Sequence, residues 1–174
     1  MSNFKEAEII FGCLKNDRTA QKALYDYYKT KMYTLSYRIT NNFEDANDVL
    51  QEGFIHVFNN LKSFQGKAQL GTWIHTIIAR TAIKHIKNKI HFVEVNEYQE
   101  LAPIDWGTHI DVKYLENAIS KLPDGYRSIF TLYEIEGFKH KEIAEMMDIS
   151  VNTSKTQLHK AKRMLQDKLK AHQL

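Results

Sequence analysis

Residues that interrupt helices or cross-link small folds are scarce in this sequence. Its 174 residues include two prolines, seven glycines and one cysteine. The scarcity of proline and glycine, together with apolar residues at helical spacing, predicts an all-α fold with short connections. Because Cys13 has no second cysteine to pair with, the chain can form no internal disulfide, and we expect it in a reducing cytoplasm.

Long apolar runs are absent as well. Charged residues such as Lys5, Glu6 and Glu8 interrupt the first fifteen residues, so no signal peptide is predicted there. No stretch reaches the ~20 apolar residues that a transmembrane helix needs. The 43% hydrophobic content is instead enough to build packed cores. We therefore expect a soluble protein without membrane insertion.

The residue patterns of enzymes and metal sites are not found. The eight histidines show no known ligand spacing with Cys13 or with one another. There is no glycine-rich phosphate loop and no nucleophile elbow. We predict no catalytic residues, no metal and no cofactor, and therefore a protein that is not an enzyme.

Acidic residues are missing from one long stretch, Gly53 to Val93. The basic residues within it are Lys62, Lys67, Arg80, Lys84, Lys87 and Lys89. Because the whole chain has 24 basic and 21 acidic residues, this stretch shows that charge is sorted by position. Sorted charge of this kind favours a polyanionic partner such as nucleic acid, although a basic face in contact with water alone is the alternative.

A helix with an acidic face is predicted just before the basic residues. Asn42 is a candidate N-cap for a helix over 43–60, which has one apolar face. Residues spaced three or four apart form a stripe on its other face: Asp45, Asp48, Glu52 and the apolar Ile55. The stripe is either a solvated helix face or a docking face for a basic protein partner.

A loop over 62–71 and a helix over 72–89 follow. The first half of this helix packs through residues such as Trp73 and Ile77. Arg80, Lys84 and Lys87 lie at i, i+4 and i+7 and share one face. A row of this kind can contact phosphates while the other end of the helix packs in a core.

The character of the sequence changes again over 91–111. This segment contains Glu and Asp residues but no Lys or Arg, and Pro103 and Gly107 break helical periodicity. We predict a flexible acidic linker between two small helical domains, residues 1–90 and residues 112–174.

Further helices are predicted on both sides of the linker. In the first domain they cover 6–14 and 17–40, the second with Asp17 as its cap. In the second domain one covers 112–121, and another follows Leu122-Pro123-Asp124 and ends at Gly137. Apolar spacing in these helices places in the core Leu24, Tyr27, Tyr28, Met32, Ile129, Leu132, Tyr133 and Ile135.

The segment from Lys139 to Leu165 has the pattern of a helix-turn-helix. A short apolar-faced helix that includes the small residue Ala144 is followed by a turn at Asp148 and an N-cap at Ser150. The second helix is expected to pack through Val151, Leu158, Ala161 and Leu165. Its other face would present to a DNA major groove Thr153, Thr156, Lys160 and Arg163. A plain helical hairpin with a charged outer face is the alternative.

These segments together resemble the extracytoplasmic-function (ECF) sigma factors of RNA polymerase. FEDANDVLQEGFIHVF is similar to the family's acidic core-binding helix, and SFQGKAQLGTWIHTIIAR to its minus-ten segment. LPDGYRSIFTLYEIEGFKHKEIAEMMDIS with NTSKTQLHKAK is similar to the domain that reads the minus-thirty-five element. The Tyr-Arg and Thr-Ser-Lys variants are most similar to sigma factors of the Bacteroidetes type.

The resemblance implies a role for each group of residues. The core-polymerase-binding residues would be Asp45, Asp48, Gln51, Glu52 and Ile55. The residues that hold a flipped base and the minus-ten element would be Phe64, Lys67, Gln69, Arg80, Lys84 and Lys87. The residues at the minus-thirty-five element would be Asn152, Thr153, Lys155, Thr156, Gln157, Lys160 and Arg163. The acidic linker would enter the polymerase channel that RNA later occupies.

The sequence departs from the family pattern at several of these sites. Thr81 stands where asparagine is frequent, and His85 where an acidic residue is common. Asp148 and Asn152 replace two frequent glycines of the helix-turn-helix. The preferred promoter sequence therefore cannot be taken from relatives.

The function implied is that of a sigma factor that binds core polymerase, melts promoter DNA and directs initiation. Its expected partners are the largest and second-largest polymerase subunits, promoter DNA and an anti-sigma factor, and we expect a monomer when it is free. The alternative is a conventional helix-turn-helix regulator with an N-terminal sensing or dimerisation domain, which would bind symmetric duplex sites on its own.

Overall fold

The computed structural model describes residues 3–90 and 112–172, and every regular element in these ranges is helical. The eight α-helices of the described ranges are α1 Asn3–Leu14, α2 Arg18–Thr40, α3 Phe43–Asn60, α4 Leu70–Ile86, α5 Val112–Ser120, α6 Asp124–Phe130, α7 His140–Met147 and α8 Val151–His172. Short 3-10 turns cover Leu61–Ser63 and Lys87–Lys89. The all-α prediction is confirmed.

The chain divides into two compact units, with the division between His85 and Ile86. The division falls before the last residue of α4, so the first unit contains α1 to α3 and α4 up to His85, and the second contains α5 to α8. The predicted linker over 91–111 lies outside the described residues, so its limits remain a prediction.

Polar caps define the helix ends of the first unit. The Asp17 carboxylate accepts a hydrogen bond from the Thr19 backbone N–H at 2.8 Å. The Asn42 side chain accepts from the N–H groups of Glu44 and Asp45 at 2.8 and 3.0 Å. Asn41 ends α2 in the left-handed conformation, with φ 54°. Both predicted caps are confirmed, and each typically stabilises its helix by about 1 kcal/mol.

The core of the first unit forms where α2, α3 and α4 meet. Its fully buried side chains include Leu24, Met32, Leu35, Ile39, Val49, Val57, Ile74 and Ile78. A Cβ on Gly53 of α3 would lie only 2.3 Å from Cδ1 of Ile78, so α3 and α4 approach too closely there for a side chain. The prediction that Tyr27 is a core residue is wrong, because it is 53% exposed. Its ring packs edge-to-face with that of Tyr28 at 4.8 Å.

Helix α8 is the element on which the second unit is built, because α5, α6 and α7 all pack against it. Leu158, Ala161 and Leu165 of α8 are buried as predicted. A buried arginine supports the start of α6: the Arg127 guanidinium donates to the Leu122 carbonyl at 2.8 Å and forms an ion pair with Asp124.

A π-helical turn, Thr131–Ile135, continues α6 and changes which side chains are buried. A π turn contains more residues than an α turn, so the side chains that follow are rotated relative to an α-helical pattern. Tyr133 and Ile135 are 37% and 39% exposed, and their predicted burial is wrong. Tyr133 instead stacks on the ring of His140 at 4.3 Å.

Helices α7 and α8 form the predicted helix-turn-helix. Asp148 ends α7 in the left-handed conformation at φ 57°, in the position of the glycine that is frequent in the family. The Ser150 hydroxyl accepts from the Thr153 N–H at 2.9 Å, which confirms the predicted cap of α8. Val151 was expected to pack, but as the first residue of α8 it is 39% exposed.

Candidate functional site

The outer side of α3 carries all five predicted docking residues, which we call the α3 acidic face: Asp45, Asp48, Gln51, Glu52 and Ile55. Asp48 and Gln51 are exposed, whereas Asp45 and Glu52 are half-buried. Ile55 is 58% exposed although it is apolar. The opposite side of α3 holds Ala46, Val49 and Val57 in the core, so packing fixes the direction of this face.

The acids of the α3 acidic face differ in their surroundings. Asp45 Oδ1 lies 3.1 Å from Nε2 of His85 on α4. Glu52 Oε1 lies 3.4 Å from Nε2 of His56 and 3.8 Å from Nζ of Lys84. The side chain of Asp48 has no hydrogen bond or ion pair with any described residue. The carboxylate of Asp48 is therefore the one on this face that a basic partner could approach without displacing an internal contact.

The contacts that join α3 to α4 were not predicted from the sequence. His85 was noted only as a departure from a family pattern, and forty residues separate it from Asp45. No periodic signal links positions so far apart, because the contact depends on the crossing of two helices.

The loop between α3 and α4 holds the aromatic part of the predicted minus-ten site. Phe64 is half-buried, and its ring lies 5.4 Å from that of Trp73 on α4. Gly66 occupies the left-handed region at φ +68°, which a glycine tolerates without strain. Lys67 and Gln69 are exposed beside this aromatic pair along the chain. Trp73 was predicted only as a packing residue, and its half-exposed ring is a further candidate for stacking on a base.

The predicted basic row begins on α4 and continues into the 3-10 turn after it. Arg80, Lys84 and Lys87 are all exposed. Thr81, between the first two, is 5% exposed and its hydroxyl donates to the Ile77 carbonyl at 2.9 Å. Burial of Thr81 and Ile83 on the inner side confirms that Arg80 and Lys84 point away from the core.

The predicted DNA-contacting residues of α8 divide into two groups. Asn152, Lys160 and Arg163 are exposed, and Lys155 is half-buried. Thr153, Thr156 and Gln157 are 3%, 7% and 2% exposed, so the expectation that they face outward is wrong for this structure. The pattern assigned faces to α8 alone, whereas burial depends on every element around the helix. Thr153 also uses its hydroxyl locally, 2.8 Å from that of Ser150.

Family comparisons account for both units. Residues 24–90 match Sigma-70 region 2, and residues 113–165 match Sigma-70, region 4. The first match contains the α3 acidic face, the loop and the basic row, and the second contains the helix-turn-helix. The chain is 29% identical to the ECF RNA polymerase sigma factor SigW of Bacillus subtilis over 172 residues, which cover 90% of this chain and 92% of that protein. This chain is a sigma factor of RNA polymerase.

A second relative and two solved structures are consistent with this assignment. The ECF sigma-E factor of Haemophilus influenzae is 28% identical over 171 residues, 89% of the sigma factor described here and 90% of the relative. The fold is similar to that of CnrH in complex with the cytosolic domain of CnrY, with a TM-score of 0.55, 16% identity and coverage of 96% and 98% of the two chains. It is also similar to RpoE in complex with the anti-sigma factor NepR from Bartonella quintana, with a TM-score of 0.55, 18% identity and coverage of 86% and 96%.

The comparisons do not favour the alternative of a conventional regulator. That alternative assigns the N-terminal half to ligand sensing or dimerisation, but residues 24–90 of the sigma factor match region 2.

Among residues 3–90 and 112–172, no three His, Cys, Asp or Glu side chains are grouped so that they could hold a metal ion. Within the same ranges no helix is long and apolar enough to cross a membrane.

One histidine links the two helices of the helix-turn-helix. His140, the first residue of α7, has Nδ1 2.9 Å from the Ser154 hydroxyl of α8, and its ring stacks on Tyr133. Burial lowers the pKa of His140 below its ordinary value of 6.5, and the positive charge of Lys155 adds to this shift. The neutral imidazole is therefore the form that this arrangement favours.

Proposed function

We propose that this sigma factor docks on core polymerase through the α3 acidic face, melts the minus-ten element with the loop and basic row, and contacts the minus-thirty-five element through α8. The observation that carries the proposal is the exposure of Asp48 and Ile55 on one side of α3, inside the segment that matches region 2. The protein would direct initiation without catalysing a reaction itself.

The chemistry of the α3 acidic face suits a basic protein surface that also offers apolar contact. Asp48 supplies an unpaired carboxylate, and Ile55 supplies an exposed apolar side chain two turns further along the helix. Charge steers the encounter of two such surfaces, and burial of the apolar side chain adds affinity. By the family resemblance, this surface would be that of the coiled-coil helices of the largest polymerase subunit, and the second-largest subunit would be a further partner.

The loop and α4 suit the capture of a base from melted DNA. Removing a base from the duplex stack costs a few kcal/mol, which contacts to the flipped base must offset. Stacking of a base on an aromatic ring contributes about 1–3 kcal/mol, and the Phe64–Trp73 pair offers two half-exposed rings for it. Lys67, Gln69 and the basic row would hold the adjacent backbone.

The accessible residues of α8 are the basis of the proposed upstream contact. Asn152, Lys155, Lys160 and Arg163 have surface available for phosphate or base edges in the structure described. Thr153, Thr156 and Gln157 would have to be uncovered before they could touch DNA, so we do not assign them a base contact.

We further propose a cytoplasmic monomer, of the Bacteroidetes type, whose activity is controlled by an anti-sigma factor. Two proteins of similar fold have been solved as complexes: CnrH with the cytosolic domain of CnrY, and the sigma factor RpoE with the anti-sigma factor NepR. Cys13, the single cysteine of the sequence, supports a reducing cytoplasm. The variants at Tyr126–Arg127 and Thr153–Lys155 support the Bacteroidetes type.

Runoff transcription with purified core polymerase tests the proposed function. Wild-type protein should give promoter-dependent RNA, and Asp48→Asn should raise the concentration of sigma factor needed for half-maximal RNA. Asp167→Asn on α8 makes the same change of charge at an exposed residue outside the proposed interfaces and should behave as wild type. Absence of promoter-dependent RNA at saturating wild-type protein would contradict the proposal.

A second measurement separates the proposal from the conventional regulator. The free protein should elute as a monomer in gel filtration and should give no footprint on duplex DNA without core polymerase. A dimer that protects symmetric half-sites by itself would favour the regulator.

A further inference from the structure

Two neighbouring residues of α4 contact two acids of the α3 acidic face. His85 Nε2 lies 3.1 Å from Asp45, and Lys84 Nζ lies 3.8 Å from Glu52. Lys84 is also a member of the basic row proposed to contact the promoter. The docking face and the DNA-binding row of this sigma factor are therefore in direct electrostatic contact.

The two contacts differ in how easily they can be exchanged. The side chains of His85 and Asp45 are 26% and 23% exposed, so their contact is largely shielded from water. The side chains of Lys84 and Glu52 are 77% and 44% exposed, so solvent and salt screen their attraction. The first contact can hold the helices in position, while the second can open without disturbing the core.

We propose that the Lys84 ammonium group pairs with the Glu52 carboxylate in the free sigma factor. This ion pair is broken when core polymerase docks on the α3 acidic face. This inference rests on the docking proposed above. A cation of the polymerase subunit takes the place of Lys84 at Glu52, and the released ammonium group becomes available to a promoter phosphate. Docking and promoter binding then favour one another. Docking removes Glu52 from Lys84, which leaves Lys84 for a phosphate, and binding of Lys84 to a phosphate leaves Glu52 for the polymerase.

The proposal makes a prediction opposite to that of a purely structural contact. Removing Lys84 should strengthen core binding, because the polymerase no longer competes with the Lys84 ammonium group for Glu52. Exposed ion pairs are weak, so we expect Lys84→Gln to bind core about two- to fivefold more tightly than wild type. If the pair only supported the fold, its removal would leave core affinity unchanged or lower it.

Equilibrium titration of full-length protein with core polymerase at constant ionic strength provides the test. Lys62→Gln is the matched control, since it removes the same charge from an exposed lysine of the acid-free stretch that has no ion pair with any described residue. Its affinity should change less than that of Lys84→Gln. The double variant Glu52→Gln/Lys84→Gln should bind no more tightly than Glu52→Gln, because the competition no longer exists.

The outcomes separate this inference from the proposed function. Equal affinities of Lys84→Gln and Lys62→Gln would overturn the inference, as would a gain from Lys84→Gln that persists in the Glu52→Gln background. Runoff transcription by wild-type protein in the same preparations tests the function on its own. If wild type neither binds core nor supports transcription, it is the proposed function that fails.

Discussion

Replacing Gly53 with alanine is expected to destabilise the packing of α3 against α4. The added Cβ would lie 2.3 Å from Cδ1 of Ile78, whereas carbon atoms attract best at about 3.5–4.0 Å. The contact would therefore be too short by at least about 1.2 Å. Ile78 is 0% exposed, so its Cδ1 cannot move into solvent and must displace core side chains or leave its preferred rotamer.

Two opposing effects determine the size of this change. Alanine is favoured over glycine inside a helix by about 1 kcal/mol, which stabilises α3. Overpacking a well-packed core costs about 1–3 kcal/mol, and a contact this short belongs to the upper part of that range. The clash should therefore exceed the propensity gain, leaving a net destabilisation of about 1–2 kcal/mol in the first unit.

Native-state hydrogen exchange of α3 and α4 amides is the suitable assay. It reports the opening free energy of the first unit alone, which matters because a chain with two units need not unfold in a single transition. Asn59→Ala on the exposed side of α3 is the matched control and should not reduce protection. Ile78→Val removes the clashing Cδ1, so it should cost less in the Gly53→Ala background than in wild type.

Increased protection of α3 and α4 in Gly53→Ala would contradict the expected clash with Ile78. That result would mean that the core relaxes around the added methyl group and that the helix propensity of alanine dominates. A loss of protection that Ile78→Val does not reduce would also count against it, because the cause would then lie away from the α3–α4 crossing.

Three further predictions concern the second unit. Ser150→Ala removes the N-cap of α8, and hydrogen exchange of the first turn of α8 should report a loss of about 1 kcal/mol, with α5 amides unchanged. The pKa of His140 in the folded protein is lowered from 6.5, so as the pH falls the unfolded chain is protonated at His140 before the folded protein is. Hydrogen-exchange protection of α7 should therefore decrease below about pH 6.5. In His140→Gln this loss of protection should be smaller. An equal pH dependence in the variant would assign the effect to other groups, such as His159, whose pKa is also lowered by burial. Lys160→Gln should reduce the slope of log affinity against log salt by about 0.9 when holoenzyme binds promoter DNA, if Lys160 contacts one phosphate. An unchanged slope would exclude that contact.

Local features of the fold were predictable because their causes lie within a few residues. The caps at Asp17, Asn42 and Ser150 follow from a polar side chain placed just before an apolar-periodic segment, and all three are present. The predicted range of α3, residues 43–60, agrees with its observed bounds, and the cap at Asn42 accounts for its start. At Tyr133 the prediction failed because a π turn changes the rotation per residue, and nothing in the apolar spacing indicates such a turn.

The candidate site was predictable in its chemistry more than in its accessibility. Segregated charge indicated an acidic face on α3 and a basic row on α4, and the structure places Asp48, Ile55, Arg80 and Lys84 at the surface. Helical spacing also placed Thr153 and Thr156 of α8 outward, yet they are only 3% and 7% exposed. A helical pattern describes one helix in isolation, and burial depends on all the elements that surround it.

The amino-acid sequence by itself determined the helical class, the two units and the sigma-factor motifs, because helical periodicity and charge segregation are properties of neighbouring residues. Only the tertiary structure decided which acids of the α3 acidic face have a partner within the chain. Asp45 meets His85 and Glu52 meets Lys84 because α3 and α4 cross closely at Gly53 and Ile78. Residues far apart in the chain are brought together by packing, and no local pattern records which of them will meet.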